Sequence, residues 1–171
     1  LQRADIEVRP MLEGGVASAG RRLVRVGVEL DIDPSDLRAH VDASLVAQML
    51  SNLLRHAAEA SPTGRPVLIR ARQEDDALRL TLTHEGRGLP EEILAERRSP
   101  YGAEGRQVDP GLSLSLALSW AIAQDHGGWM TAENREAGGA TFHISLPPQL
   151  ASVTIGVGPT SGRRIMVVDD D

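Results

Sequence analysis

Residues 42–60 read DASLVAQMLSNLLRHAAEA, and the apolar pairs Leu45/Val46, Met49/Leu50, Leu53/Leu54 and Ala57/Ala58 return every four residues. Only an α-helix gathers such pairs on one side, so this segment must press a full-length apolar stripe onto a core. The same helix carries Gln48, Asn52 and His56 at i, i+4 and i+8, with Glu59 close to the end of this second, polar stripe. Such a stripe is either a solvated face or a row of ligands, and its residue types suit a phosphate or a metal. The proline and glycine of SPTGRP (61–66) end the helix. The rest of the chain has to be arranged around that buried face.

Upstream, residues 5–10 read as a short strand, followed by a Gly/Ala-containing helical stretch to about Leu23. Val24, Val26, Val28, Leu30 and Ile32 alternate, which predicts a half-buried strand over 24–32, and DPSD (33–36) is a turn. Two more strands are expected at 67–72 and 77–83, joined by the acidic turn 74–76. In the second, Leu78, Leu80 and Leu82 face one way while Arg79, Thr81 and Thr83 face the other. THEGRGLP (83–90) follows, and glycines two apart just after a strand mark a place where backbone must come close to something. From Gly88 to Pro110 no period is sustained, which predicts a long loop with one helical turn.

The run 112–128 alternates at Leu112, Leu114, Leu116 and Leu118, yet it also fits helical spacing. Its length and the His126-Gly127-Gly128 ending favour a helix. Residues 129–134 and 140–147 then form a final hairpin across REAGG. Helices mixed with such strands predict an α+β fold, a two-layer α/β sandwich with a mixed, mostly antiparallel sheet packed on helices.

The 171 residues suit one domain with a short appendage. A net charge of −6 and 2% aromatics argue against a general nucleic-acid binder. The absence of cysteine excludes disulfides, thiolate metal sites and cysteine nucleophiles. The most apolar run, 111–123, is too short and serine-rich to span a bilayer, so no membrane contact is expected. The chain opens on Leu1 without a targeting signal, which predicts a piece of a longer protein with the cytoplasm as default compartment.

The order of these parts resembles the catalytic, ATP-binding domain of bacterial sensor histidine kinases, within the gyrase-like ATPase superfamily and its Bergerat-type fold. The resemblance covers roughly residues 4 to 148. Residues 41–61 look like the family's asparagine box, which implies that Asn52 holds Mg²⁺ against the nucleotide phosphates. The second asparagine of that box is His56 here, and Glu59 and Ala60 stand where a lysine and an aromatic are often found. Hydrolysing relatives carry a glutamate base four residues before the Asn. Gln48 sits there and cannot take a proton from water, which fits transfer to a protein better than hydrolysis.

THEGRGLP resembles the first glycine box, Asp-x-Gly-x-Gly, so Gly86 and Gly88 are expected to let backbone approach a purine. The aspartate that accepts from the adenine amino group is His84 here. A neutral imidazole still offers one acceptor nitrogen, at a cost of about 1–2 kcal/mol of binding against a carboxylate. DPGLSLS (109–115) resembles the second glycine box: Gly111, Leu112 and Leu114 match, while Asp109 and Ser113 replace glycines. Asp109 before Pro110 is a good N-cap and competes with phosphate for the helix N–H groups; Ser113 adds a hydroxyl donor. The closing hairpin EAGGATFHISLP (136–147) implies a phosphate-side contact for Thr141. In the lid, Arg97, Arg98 and Arg106 either reach phosphates or are solvated charges, and Tyr101 is its one aromatic.

Residues 149–163 read as a linker, and RIMVVDDD (164–171) resembles the first strand of a response-regulator receiver domain, with Asp169 and Asp170 as its Mg²⁺-binding pair. The alternative is a solvated acidic terminus. Kinase domain, linker and receiver start together imply a hybrid histidine kinase in the two-component system. Its partners would be histidine-bearing dimerisation helices and a receiver domain of the same protein. None of His40, His56, His84, His126 and His143 sits in the phosphoacceptor context, so that histidine is expected elsewhere. Two other readings of the fold stand beside this one: a pseudokinase with weak or no ATP binding, and a gyrase-type ATPase.

Overall fold

The computed structural model describes residues 1–96 and 110–148, with side chains from 110 to 113 and of Glu96 outside that description. Strand β1 (Ala4–Glu7) leads into helix α1 (Val8–Ala19) and a 3-10 helix (Gly20–Arg25). Strands β2 (Val28–Asp33) and β3 (Arg38–Val41) precede helix α2 (Ala43–Ala60), then β4 (Val67–Glu74) and β5 (Ala77–His84). A short helix α3 (Glu91–Glu96), helix α4 (Pro110–Asp125), β6 (Trp129–Asn134) and β7 (Ala140–Leu146) complete the described chain.

Five strands form one sheet in the order β2-β4-β5-β7-β6, parallel only between β2 and β4, and β1 pairs with β3 in a separate ribbon. This is the expected sandwich. The inner face, carrying Ile69, Leu80, Leu82, Phe142, Ile144 and Leu146, is fully buried with Leu12 of α1, Met49, Leu50, Leu53 and Leu54 of α2 and Leu116 of α4. Gly15 lets α1 and α2 close up, because a Cβ there would stand 3.1 Å from Leu50 Cβ. The outer face is polar: Arg72 bonds Asp31 at 2.9 Å, His143 meets Glu133 at 3.0 Å, and Arg79 lies 5.1 Å from the Trp129 ring centroid.

Helix α2 starts where its side chains tell it to. Asp42 accepts from the Leu45 N–H at 3.2 Å through one carboxylate oxygen and from the Gln2 N–H at 2.7 Å through the other. The same pair of bonds, the Gln2 one first, holds its carboxyl below the usual range against the opposing effect of burial. Helix α4 stops as read: Gly127 (φ 70°) donates to Gln124 O and Gly128 to Ala123 O, the paired bonds of a Schellman end. His126, just before them, is buried, donating from Nδ1 to Ile122 O and accepting at Nε2 from the Asp42 N–H. It ties the end of α4 to the start of α2.

The N-terminal third departs from the sequence expectation. The strand expected from Val24 begins only at Val28, because residues 20–25 coil as a 3-10 helix closed by the Gly27 N–H to Leu23 O bond. Gly27, at φ 82°, then turns the chain into the ladder that starts at Val28↔Val67. Val24 is left 84% exposed, so its place in the alternation was accidental. The first strand ends at Glu7 rather than Pro10, since proline is tolerated in the first turn of α1, where its missing N–H has no partner to lose. Strand β3 was not foreseen; its RAHV carries little strand signal and forms by pairing with β1.

Candidate functional site

The C-terminal half of α2 crosses the inner face near the end of β5, where two histidines and a phenylalanine meet. The His56 ring stands edge-on to His84, with centroids 5.4 Å apart and planes at 82°, and edge-on to Phe142 at 5.9 Å. His84 and Phe142 stack at 6.4 Å. His84 reaches this position because β5 alternates: Leu78, Leu80, Leu82 and His84 all take the inner face. Its direct partner across the ladder is Ala140.

The hydrogen bonding of this cluster is incomplete. Asn52 Nδ2, His56 Nε2 and His84 Nε2 are buried without a hydrogen-bond partner among the described residues. A buried polar atom left unpaired costs on the order of 1–3 kcal/mol, so three together mark a place prepared for something else. His84 Nδ1 lies 2.9 Å from the Glu85 carbonyl oxygen, which accepts only; Nδ1 therefore carries the proton and Nε2 is left as the acceptor. Burial pushes the His84 pKa down, the Glu85 carbonyl works against that, and the Arg135 charge adds to it. Burial pushes His56 down to about 4, helped by His84 and Arg87. Both rings are neutral at pH 7. The acceptor that His84 needs to replace a carboxylate is thus present.

The glycines are closely hemmed by protein. Gly86 (φ 90°) has no room for a side chain, because the Ala60 carbonyl and Pro62 at the end of α2 fill the space where its Cβ would stand. The Arg87 N–H donates to that same carbonyl at 3.1 Å. A Cβ on Gly88 would stand 2.5 Å from Asn134 Oδ1. Asn134 holds the loop with both ends of its amide, accepting from Leu89 N–H at 2.7 Å and donating to Leu89 O at 2.9 Å. Gly139 passes so close to the His84 carbonyl that no side chain fits there, and a Cβ on Gly138 would lie 3.2 Å from Gly86 O. The two glycine-rich stretches pack on each other, and their close approach is protein to protein.

Thr141 is also displaced from its expected role. It pairs with Thr83 on the outer face, hydroxyl to hydroxyl at 3.3 Å, because odd-numbered residues of β7 point away from the helices. Ala140 and Phe142 take the inner positions, both fully buried. Gln48 is exposed, eight residues or about 12 Å of helix rise from His56, and is not brought to the cluster. Glu59 is turned to Arg22 of the 3-10 helix.

Gly111, Leu112 and Ser113 fall in the first turn of α4, which begins at Pro110 as its N1 preference predicts. Asp109, the lid residues Arg97, Arg98, Tyr101 and Arg106, the linker and the acidic strand ending in Asp169 and Asp170 lie outside the described residues. Of the other histidines, His126 has both nitrogens occupied, while His40 and His143 contact Asp5 and Glu133. The sequence reading missed Arg55, Phe142 and Asn134; the alternation of β7 was the signal that Phe142 shares a face with Ala140.

The donor set suits a purine better than it suits Mg²⁺. Unpaired ring and amide nitrogens beside aromatic faces match the polar edge and flat surface of a nucleobase. Mg²⁺ asks for oxygen ligands. The oxygen expected to supply one, Asn52 Oδ1, accepts from Arg55 Nη2 at 2.7 Å, and the next residue along its stripe of α2 is His56, an imidazole. Among the described residues, no three His, Asp or Glu gather as a metal site. Mg²⁺ held by Asn52 does not fit this arrangement.

Comparison with known proteins agrees with the geometry. The family described as histidine kinase-, DNA gyrase B-, and HSP90-like ATPase matches residues 41–150. Histidine protein kinase DivJ of Caulobacter vibrioides is 33% identical over 94% of this chain, and sensor protein KdpD of Escherichia coli 33% over 82%. The chain spans 27% and 15% of those two proteins. Among solved structures, the catalytic domain of histidine kinase ThkA superposes with a TM-score of 0.70 at 23% identity, covering 86% of this chain and 97% of that one. The mycobacterial sensor histidine kinase MprB gives 0.67 at 24%, covering 84% and 97%. The chain belongs to the histidine kinase-, DNA gyrase B- and HSP90-like ATPase family, in which it takes the fold of histidine-kinase catalytic domains.

Proposed function

We propose that this chain is the nucleotide-binding catalytic part of a two-component sensor histidine kinase, binding ATP between the His56 face of α2 and the end of β5. The observation that carries the reading is the cluster of three buried, unpaired polar atoms on Asn52, His56 and His84. His84 Nε2 accepts from the adenine amino group, taking the place of the family's carboxylate. The Gly86–Gly88 loop, pinned by Ala60 and Asn134, fixes the position of His84 rather than touching the base. In the reaction, the bond between the β,γ-bridging oxygen and the γ-phosphorus breaks and a P–N bond forms to a histidine imidazole on a separate dimerisation helix, with ADP leaving. Such transfer asks for positioning and charge neutralisation more than for covalent help.

The layout favours a hybrid kinase: catalytic domain 1–148, linker 149–163 and receiver start 164–171, all acting in the cytoplasm. Among the described residues no helix is long and apolar enough to cross a membrane.

A second reading, a pseudokinase kept as an interaction module, is favoured by the burial of His84 at 1% exposure, since a ligand must open the cluster to reach it. Calorimetric titration with the non-hydrolysable analogue AMP-PNP separates the two, in Mg²⁺ and in EDTA. Saturable binding supports the kinase reading, and no binding at millimolar nucleotide in either buffer sinks it.

A further inference from the structure

We infer that Arg55 takes the place of the divalent cation in this site, so that the nucleotide binds without metal and its phosphates are neutralised by a guanidinium anchored on Asn52. The inference rests on the nucleotide-binding reading above and deepens it.

Arg55 lies one turn beyond Asn52 on α2, at i+3, where helical side chains meet. Its Nη2 donates to Asn52 Oδ1 at 2.7 Å, a direct bond from a full positive charge to the amide oxygen that the metal would require. A guanidinium bonded to that oxygen disfavours a divalent cation on its second lone pair, because two like charges within about 4 Å repel in a partly buried site. The bond uses one of five guanidinium N–H donors and leaves the others for phosphate oxygens, which a planar fork binds two at a time. Anchoring on the helix also removes rotamer freedom before the ligand arrives.

The surrounding charges point the same way. A magnesium site is ordinarily built with carboxylates. Of the carboxylates on α2 and the loop after β5, Glu59 is turned to Arg22 and Glu85 to Arg65 at 3.6 Å. The histidine neighbours are neutral, whereas Arg87 and Arg135 lie close enough to bear on the His56 and His84 titrations. The site therefore carries positive charge and unpaired nitrogen where a metal site would carry negative oxygen. A tetra-anionic nucleotide is its complement.

The test is calorimetric titration of the chain with AMP-PNP, once in EDTA and once in excess Mg²⁺, for the native sequence, Arg55→Ala and Arg55→Gln. The expected result is native affinity equal within about threefold in the two buffers, with both variants weakened about tenfold or more in EDTA. Arg55→Ala frees Asn52 Oδ1, so its binding should recover on adding Mg²⁺. A native affinity that rises more than about tenfold with Mg²⁺, or variants that bind in EDTA as well as the native chain, overturns the inference and leaves the nucleotide reading standing. No binding in either buffer overturns both. Arg55 is an exposed helical residue, and thermal melts of the variants confirm that α2 is intact.

Discussion

His84, at the end of β5, and His56, on α2, hold their rings 5.4 Å apart and nearly perpendicular, each with Nε2 buried and unpaired among the described residues. Two imidazoles this close cannot both be charged, and burial keeps each neutral. The proposed acceptance of an adenine amino group at His84 Nε2 depends on that neutrality.

Nucleotide affinity should therefore depend on pH in a defined window. Protonated His84 has no acceptor, so binding fails as the ring charges. Because its pKa in the folded chain lies below 6.5, affinity should stay flat from pH 8 to 6.5 and fall only at more acidic values. His84→Asp should hold its affinity to lower pH and bind about tenfold more tightly at pH 7, as a charged acceptor replaces a neutral one. Titrations across pH 8 to 5 check this, and a loss of affinity already complete at pH 7 would contradict it.

His56 makes a separate prediction about folding. Its pKa is about 4 in the folded chain against 6.5 unfolded, so between those values the unfolded chain binds the extra proton. Stability from this group is intact above pH 6.5 and declines as pH falls towards 4, by up to about 1.4 kcal/mol per pH unit. Urea denaturation of His56→Asn should show a shallower acid loss than the native chain. Equal slopes would mean that the imidazole is not held neutral by the fold.

The glycine loop yields a coupling. Gly88→Ala drives a Cβ into Asn134, and Asn134→Ala removes two hydrogen bonds to Leu89. Each alone should cost on the order of 1–3 kcal/mol. In the Asn134→Ala background the three atoms nearest the added methyl are gone, so the double variant should be more stable than the sum of the singles predicts. Additive denaturation midpoints would show that Gly88 answers to something other than Asn134. Gly86→Ala has no such rescue, since its obstacle is the Ala60 carbonyl and its φ is 90°.

What the sequence made legible was what a period or a cap encodes. The four-residue recurrence in α2 and the alternation in β5 located the helix and strand that carry Asn52, His56 and His84. The turn glycines and the helix stop after Asp125 were readable because positive φ is a local demand. The partners of those residues were not readable. Nothing local in RAHV announces β3, and nothing in GRG says that Ala60 and Asn134 are the objects approached. Nor does NLLR announce that Arg55 folds back onto Asn52. Such contacts are long-range or conformational, and composition does not record them.

Register is the sharpest case, and it can be tested directly. A strand alternates with period two, so placing a contact one residue off moves it to the opposite face of the sheet. Thr141 bonds Thr83 on the outer face, while Phe142 stacks on His84 inside. Thr141→Ala should leave AMP-PNP affinity within about twofold of native and cost on the order of 1 kcal/mol of stability through the lost hydroxyl pair. Phe142→Leu keeps an apolar side chain but removes the ring against which both histidines rest. It should weaken binding about fivefold or more, an aromatic contact of this kind being worth about 0.5–1.5 kcal/mol. If the Thr141 variant loses affinity and the Phe142 variant keeps it, the nucleotide lies on the outer face of the sheet and the His56–His84 cluster is a feature of the core alone.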